Sequence, residues 1–277
     1  MQIQQALALH TQLAHQSESA ALDIELMLCA LLDKPRSYLF TWPDKVLPEP
    51  VVTQLNRMIQ RRLKGEPVAH ILGTRGFWDF DLDVSPHTLI PRPDTECLVE
   101  HALTLALPSS ARVADLGTGT GAIALALGWE RPEWEVVASD YIADAAALAE
   151  RNRSKLQLDN VRVLQGSWFE PHVGTYDLIV SNPPYIDPDD PHLTQGDVRF
   201  EPLSALVADN KGMADIELIS DQARAFLRPG GFLLFEHGYD QGDISRALLT
   251  ELGYEKVETL RDYGNNERVT FGQWLKR

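Results

Sequence analysis

A short stretch near the middle of the chain carries groups that could bind a planar, amino-bearing substrate. Residues Ser181 to Tyr185 read Ser-Asn-Pro-Pro-Tyr and follow an apolar run. The Asn182 side chain offers a carbonyl acceptor and an NH2 donor, which complement another amide or an exocyclic amino group. Pro183 and Pro184 hold the turn extended and fix the direction of its carbonyls, and Tyr185 adds a flat ring. This predicts a slot for a planar NH2 group, although a Pro-rich turn that merely ends a buried strand has similar residues.

A glycine-rich loop lies upstream of this stretch. It consists of Gly117, Thr118, Gly119, Thr120 and Gly121. Glycines let the backbone approach a ligand closely, and an acid that ends the next strand accepts ribose hydroxyls. Asp140 stands about twenty residues beyond the loop, so the pattern also fits the dinucleotide fingerprint of a dehydrogenase.

Two further residues favour a different adenosine cofactor. Asp115 directly precedes the loop, where a carboxylate would repel a pyrophosphate but would suit an ammonium-bearing amino-acid tail. Trp168 follows the third predicted strand and offers an aromatic face for adenine. The sequence therefore favours a cofactor with an adenosine part and an amino-acid part.

Alternating strand and helix signals from Arg112 onward predict the element order that positions these residues. The pattern is that of an α/β fold with a doubly wound, mostly parallel sheet of seven strands. The strands are predicted at residues 113–116, 135–139, 161–164, 176–180, 232–236, 254–260 and 268–274. Ligands of such sheets bind at the carboxyl ends of the strands near the point where the strand order reverses, so the candidate residues should converge there.

The N-terminal part has a different pattern. Residues 1–68 show helical apolar spacing and predict a small helical bundle domain, and residues 69–93 alternate and predict a linking hairpin before the α/β domain at 94–277. A basic cluster lies along the last helix of the bundle. It contains Arg57, Arg61, Arg62 and Lys64. The cluster is either a solvated face or a docking surface for an acidic partner.

Composition excludes several classes of protein. The formal net charge of −15 over 277 residues disfavours a large nucleic-acid footprint. No apolar run approaches the roughly 18 residues of a membrane span, and the N-terminus lacks a signal peptide, which predicts a cytoplasmic protein with no membrane contact. Cys29 and Cys97 lack metal-ligand spacing, so both are predicted to be ordinary thiols and no metal is expected.

The ordered set of motifs resembles class I S-adenosylmethionine-dependent methyltransferases that act on planar amino or amide nitrogens. Three segments narrow the resemblance, and it then runs essentially from end to end. They are Ile90 to Glu96, Ser181 to Ile186 and Asp197 to Pro202. Together with the helical N-terminal domain, these segments are similar to the protein-(glutamine-N) methyltransferases of peptide chain release factors.

The resemblance implies a cofactor, a substrate and a role for each motif residue. The cofactor would be S-adenosyl-L-methionine, with the glycine loop around its methionine part. Asp140 would bind the ribose and Trp168 would line the adenine, and Asn182 would also be a cofactor-binding residue. The catalytic residues would be Asn182, Pro183 and Tyr185, and these three together with Pro184 would bind the substrate. The substrate would be the glutamine of the Gly-Gly-Gln motif of release factors, and the helical domain would help to hold that partner protein.

Alternatives remain open at this point. An adenine-amino methyltransferase of DNA or RNA would present the same NH2 geometry to Asn182. Eight acidic and two basic residues between Tyr185 and Glu217 disfavour it, because they would repel phosphates. A non-catalytic module that binds ribosomes or factors is a further alternative. The sequence does not decide whether Arg92, Arg199 and Glu201 contact the substrate or brace the site.

Overall fold

A computed structural model describes residues 1–276, which form two compact units. The first unit contains Met1–Thr74 together with a second stretch of chain, Thr194–Phe200. The second unit contains Arg75–Leu193 and the chain from Glu201 onward. The segment 194–200 lies in the insert that follows the Asn-Pro-Pro-Tyr turn, so the insert contributes residues to both units.

The first unit is a helical bundle, as its sequence spacing predicts. Its helices are α1 (Ile3–Leu7), α2 (Ala20–Leu32), α3 (Arg36–Thr41), α4 (Glu49–Leu63) and α5 (Val68–Leu72), with a 3-10 turn at Ala8–Gln12. Apolar residues spaced four apart, including Ile24 and Leu28 on α2 and Leu55 and Ile59 on α4, are fully or almost fully buried in one core. Helix α5 falls partly within the stretch whose alternation predicts a hairpin.

The basic cluster on α4 is not a uniform solvated face. Arg62 is buried within the helical unit, where its Nε donates to Asp23 at 2.9 Å and its Nη1 donates to Asp197 at 2.8 Å. Arg61 instead pairs with Glu66 at the surface. Helical spacing alone could not show this, because Asp197 lies 135 residues beyond Arg62 in the chain.

The second unit contains the predicted seven-stranded sheet and a separate hairpin. The hairpin pairs β1 (Thr74–Phe77) with β2 (Phe80–Asp83). The sheet strands are β3 (Arg112–Leu116), β4 (Glu135–Asp140), β5 (Val161–Gln165), β6 (Tyr176–Ser181), β7 (Leu227–Glu236), β8 (Glu255–Arg261) and β9 (Glu267–Trp274). They lie in the order β5-β4-β3-β6-β7-β9-β8, and only β9 runs antiparallel to its neighbours. The predicted fold class is confirmed.

The central strand β6 is buried along its whole length because helices cover both faces of the sheet. The covering helices are α6 (Glu96–Thr104), α7 (Ala122–Glu130), α8 (Ala143–Leu156), α9 (Ala214–Phe226) and α10 (Gly242–Leu252). Their apolar residues form two clusters within the unit.

One strand begins earlier than the sequence indicates. The prediction starts the fifth sheet strand at Phe232, but β7 begins at Leu227, which pairs with Tyr176. The residues Pro229, Gly230 and Gly231 interrupt the apolar signal, and the pairing register shifts across them. Tertiary pairing therefore extends a strand that local propensity would end. No helix within residues 1–276 is long and apolar enough to span a membrane.

Candidate active site

The carboxyl ends of three neighbouring strands bring the candidate residues together. Leu116, at the end of β3, pairs with Ser139 on β4 and with Ser181 on β6. The glycine loop, Asp140 and Asn182 directly follow these three positions. They surround a cavity of about 240 Å³, whose lining includes Gly117, Gly119, Asp140, Trp168, Asn182 and Pro184. The site lies between β3 and β6, where the strand order reverses.

The glycine loop adopts a conformation that other residues would strain. Gly117 has φ +71°, and a Cβ there would lie 3.2 Å from the Trp168 ring. Gly121 has φ +87° at the N-terminus of α7, where a Cβ would come within 2.9 Å of Leu125. The loop is tied to the sheet, because the N–H groups of Gly117 and Thr118 both donate to the Ser139 carbonyl at 2.9 Å. These glycines are therefore required by the backbone as well as by the cavity.

The two acids around the loop have different surroundings. Asp140 accepts the N–H of Gly119 on one oxygen and that of Ile142 on the other, each at 2.9 Å, while it lines the cavity. Burial raises its pKa above the usual range. Asp115 is completely buried, and burial raises its pKa to about 7 even though Thr118 and the Ala124 N–H donate to its Oδ2. It does not line the 240 Å³ cavity, so its main contacts are with the loop itself.

A buried chain of hydrogen bonds holds the Trp168 segment against the sheet. The hydroxyl of Ser139 donates to the Trp168 carbonyl at 3.2 Å, so its oxygen accepts from Nε2 of His172 at 2.9 Å. The other ring nitrogen then accepts from the Tyr176 hydroxyl at 2.8 Å. This chain fixes one tautomer of His172. Trp168 itself has φ +42°, an unusual value for a large side chain, which places its ring beside the glycine loop.

We expect His172→Phe to weaken cofactor binding by up to about thirtyfold, because two buried hydrogen bonds of about 1 kcal/mol each help to hold the Trp168 segment. Burial lowers the pKa of His172 from 6.5 to about 4, so the folded protein keeps the ring neutral. The wild type should therefore lose stability as the pH falls from 6.5 towards 4, where the unfolded chain binds a proton more readily. The free energy of unfolding in urea should fall less with decreasing pH in the variant than in the wild type. The same fall in both proteins would contradict the conclusion that His172 is buried as a neutral ring.

The Asn-Pro-Pro-Tyr turn presents its groups to different cavities. Asn182 and Pro184 line the cavity described above, whereas Tyr185 lines a second one of about 550 Å³. Pro183 is buried. A third, smaller cavity of about 50 Å³ also reaches Asn182, and its lining includes Thr118 and Thr120 of the glycine loop. All the predicted site residues thus lie in one region of the second unit, but Tyr185 lines the second cavity and not the first.

Two residues behind the turn were not predicted from the sequence. Asn182 donates its Nδ2 to the Thr95 hydroxyl at 3.2 Å, and Thr95 donates to Glu236 at 2.7 Å. The Tyr185 hydroxyl donates to the other oxygen of Glu236 at 3.1 Å. The only sequence signals were the place of Thr95 in the Ile90 to Glu96 segment and that of Glu236 at a strand end.

The structure also shows the contacts of Arg92, Arg199 and Glu201, whose roles the sequence does not decide. Glu201 has a fully buried side chain that accepts the Ile90 N–H at 3.1 Å and the Arg92 guanidinium at 2.7 Å. It thereby ties the insert to the chain before α6, close to Ser204, which lines the 240 Å³ cavity. Arg199 lies in the helical unit and donates to Gly196. Arg92 and Glu201 therefore pair with each other, and Arg92 also lines the 50 Å³ cavity that reaches Asn182.

Comparison with solved structures identifies the class of this fold. A methyltransferase from Pyrococcus furiosus superposes with a TM-score of 0.56 at 18% identity, covering 80% of this chain and 99% of that one. Residues 93–196 match the family model described as Methyltransferase small domain, and residues 5–73 match the PrmC N-terminal domain. The second unit thus has a methyltransferase fold.

Sequence relatives narrow the class to one family. A release factor glutamine methyltransferase of Shewanella oneidensis is 54% identical over 96% of this chain and 93% of its own length. One from Pseudomonas aeruginosa is 56% identical over 93% of this chain and 94% of its own. The chain belongs to the family of release factor glutamine methyltransferases.

Proposed function

We propose that this protein transfers a methyl group from S-adenosyl-L-methionine to the side-chain amide nitrogen of the glutamine in the Gly-Gly-Gln motif of peptide chain release factors. One observation carries the proposal beyond family membership. The NH2 of Asn182 is engaged by Thr95, which leaves its Oδ1 available to accept an N–H at the cavity that also contains the glycine loop and Asp140. A carbonyl acceptor at this place suits an amide NH2.

The residues at the first cavity fit the cofactor. Gly117 lies so close to Trp168 that a Cβ would crowd the ring, so the glycine lets this ring lie against the loop at the cavity. Asp140 supplies a carboxylate for ribose hydroxyls, Trp168 a face for adenine, and the loop from Gly117 to Gly121 a backbone that a methionine part can approach.

We expect Asp140→Ala to weaken S-adenosylmethionine binding about 10- to 100-fold. The reason is that hydrogen bonds to a charged group contribute about 1.5–3 kcal/mol. Calorimetric titration of the purified variant measures this loss. Asp144→Ala is the matched control, because Asp144 lies nearby on α8 and is largely exposed. Equal affinities of the two variants would exclude Asp140 from the cofactor site.

The mechanism rests on how the turn holds the substrate amide. When bound, the cofactor supplies a methyl group on an activated sulfonium. An amide nitrogen is a poor nucleophile because its lone pair is delocalised into the carbonyl group. Asn182 Oδ1 accepts one N–H and the Pro183 carbonyl accepts the other, which orients the lone pair and stabilises the positive charge that develops on nitrogen. The role of Tyr185 against the amide plane stays a prediction, because Tyr185 lines the neighbouring 550 Å³ cavity. After transfer the methylated nitrogen gives up one of its two protons to solvent, so no His, Cys or paired carboxylate is needed as a base.

The remaining parts of the chain support a protein substrate. We propose that residues 1–68 form the domain that helps to hold the release factor, that residues 69–93 link it, and that residues 94–277 form the methyltransferase domain. The insert after Tyr185 carries eight acidic and two basic residues up to Glu217. Asp197 and Glu201 pair with arginines, and the other six acidic residues would repel a phosphate backbone.

Transfer of a labelled methyl group tests the proposal directly. Purified release factor, the same factor with Gln→Ala in its Gly-Gly-Gln loop, bulk DNA and bulk RNA are each incubated with the enzyme and labelled S-adenosylmethionine. We expect label on the intact factor alone. Label on nucleic acid instead would keep the cofactor and assign the adenine-amino activity to the site, and label on none would overturn the proposed reaction.

A further inference from the structure

The side chains that support the Asn-Pro-Pro-Tyr turn converge on one buried carboxylate. Glu236, at the end of β7, is only 2% exposed, and Thr95, just before α6, is 4% exposed. Glu236 Oε2 accepts from Thr95 and Glu236 Oε1 accepts from Tyr185. Thr95 in turn accepts from Asn182 Nδ2. One carboxylate therefore holds Tyr185 directly and Asn182 through a single hydroxyl.

The direction of each hydrogen bond follows from what each group can donate. The Thr95 hydroxyl donates its only proton to Glu236 Oε2. Its oxygen can then only accept from Asn182, which requires the NH2 of Asn182 to face Thr95. Burial raises the pKa of the Glu236 carboxyl group, and the Thr95 hydrogen bond and the Arg268 guanidinium oppose this rise. Burial and the Glu236 carboxylate also raise the pKa of Tyr185, so its hydroxyl keeps its proton.

We propose that Thr95 and Glu236 are positioning residues that fix the polarity of the Asn182 amide, so that its Oδ1 and not its NH2 faces the methyl-accepting nitrogen. This inference rests on the proposed function of the turn. The two ends of a carboxamide have nearly the same shape, so packing alone cannot select one orientation. An Asn182 rotated by half a turn would present NH2 to NH2, which repels the substrate amide. The hydroxyl of Thr95 therefore selects the orientation of the Asn182 amide in which the NH2 faces Thr95.

The same carboxylate also sets the position of Tyr185. Its bond to the Tyr185 hydroxyl fixes the far end of the side chain, and hence the plane of the ring. Glu236 thus keeps the acceptor and the aromatic face in one arrangement before the substrate arrives, which lowers the entropy lost on reaching the reactive geometry.

A pair of substitutions at Thr95 separates its hydroxyl from its shape. Thr95→Val keeps the branched side chain and removes the donor and acceptor, whereas Thr95→Ser keeps the hydroxyl. We measure kcat with release factor, the KM for S-adenosylmethionine, and the thermal midpoint of each variant. Thr95→Val should lose about 10- to 100-fold in kcat, with the KM for the cofactor within about threefold of the wild type. Thr95→Ser should retain kcat within about threefold.

Glu236→Gln provides a second and independent test if Thr95→Val does not fold. A Gln at this position places an NH2 against one of the two hydroxyls, which reverses a hydrogen bond that the carboxylate accepts. We expect kcat to fall at least tenfold in Glu236→Gln. A kcat within twofold of the wild type would overturn the proposal.

The outcomes at Thr95 are equally decisive. Equal losses in Thr95→Val and Thr95→Ser, or a Thr95→Val loss that appears in cofactor KM and thermal midpoint rather than in kcat, would assign Thr95 a packing role and overturn the proposal. Failure of the proposed function is recognised separately, because it is judged on the wild type alone. If the wild type modifies nucleic acid and not release factor, the variant ratios are measured on that acceptor, where the polarity of Asn182 is tested in the same way.

Discussion

Replacing Asn182 with Ala is expected to lower kcat about 100- to 1,000-fold, the usual loss when one oriented hydrogen-bonding group is removed from a reacting centre. The substitution deletes the Oδ1 acceptor and leaves the Thr95 oxygen without its donor. Cofactor affinity should fall much less, because the glycine loop and Asp140 line the same cavity independently of this side chain. Methyl transfer to release factor and calorimetric titration with S-adenosylmethionine measure the two quantities.

Asn56→Ala serves as the control for this variant. Asn56 lies on α4 of the helical unit and is exposed, so its removal should change neither quantity. Equal losses of turnover and cofactor affinity in Asn182→Ala would mean that Asn182 acts in cofactor binding, and the role assigned to its Oδ1 would then be wrong.

The sequence predicts those parts of the site that depend on local backbone chemistry. Gly117 and Gly121 need positive φ angles, and the two prolines fix an extended turn, so these segments can be recognised wherever they occur. The inner parallel strands are likewise predicted, because buried parallel strands are largely apolar runs between turn signals. Only the start of β7 differs substantially, where pairing with β6 overrides Pro229 and two glycines.

Residues that act through partners distant in sequence could not be predicted. Thr95 and Glu236 meet although 141 residues separate them, and the residues around each one do not indicate the other as its partner. Arg62 is one of several basic residues on a helix, and only the fold shows that it alone is buried against Asp23 and Asp197. Periodicity indicates which face of a helix is apolar. Whether a polar residue on that helix is buried depends instead on a tertiary partner that satisfies its hydrogen bonds.

Replacing Arg62 with Met is expected to destabilise the helical unit by about 3–5 kcal/mol, the range found when one partner of a buried ion pair is removed. The Asp23 carboxylate, 4% exposed, would retain only the Ser19 hydroxyl as a side-chain donor. Asp197 would also lose its bond to Arg62. Hydrogen exchange of the α2 and α4 amides should report the loss, because it follows local opening.

The matched controls separate the buried ion pair from its surroundings. Arg57→Met alters an exposed arginine on the same helix and should change exchange protection by less than about 0.5 kcal/mol. The double variant Asp23→Asn/Arg62→Met should recover part of the loss, because a neutral amide is less costly to bury than an unpaired carboxylate. Losses that are the same for Arg57→Met and Arg62→Met, or no recovery in the double variant, would contradict this account. Asp197 lies in the insert between Tyr185 and Glu201, so the single Arg62 variant should also lower methyl transfer more than Arg57→Met does.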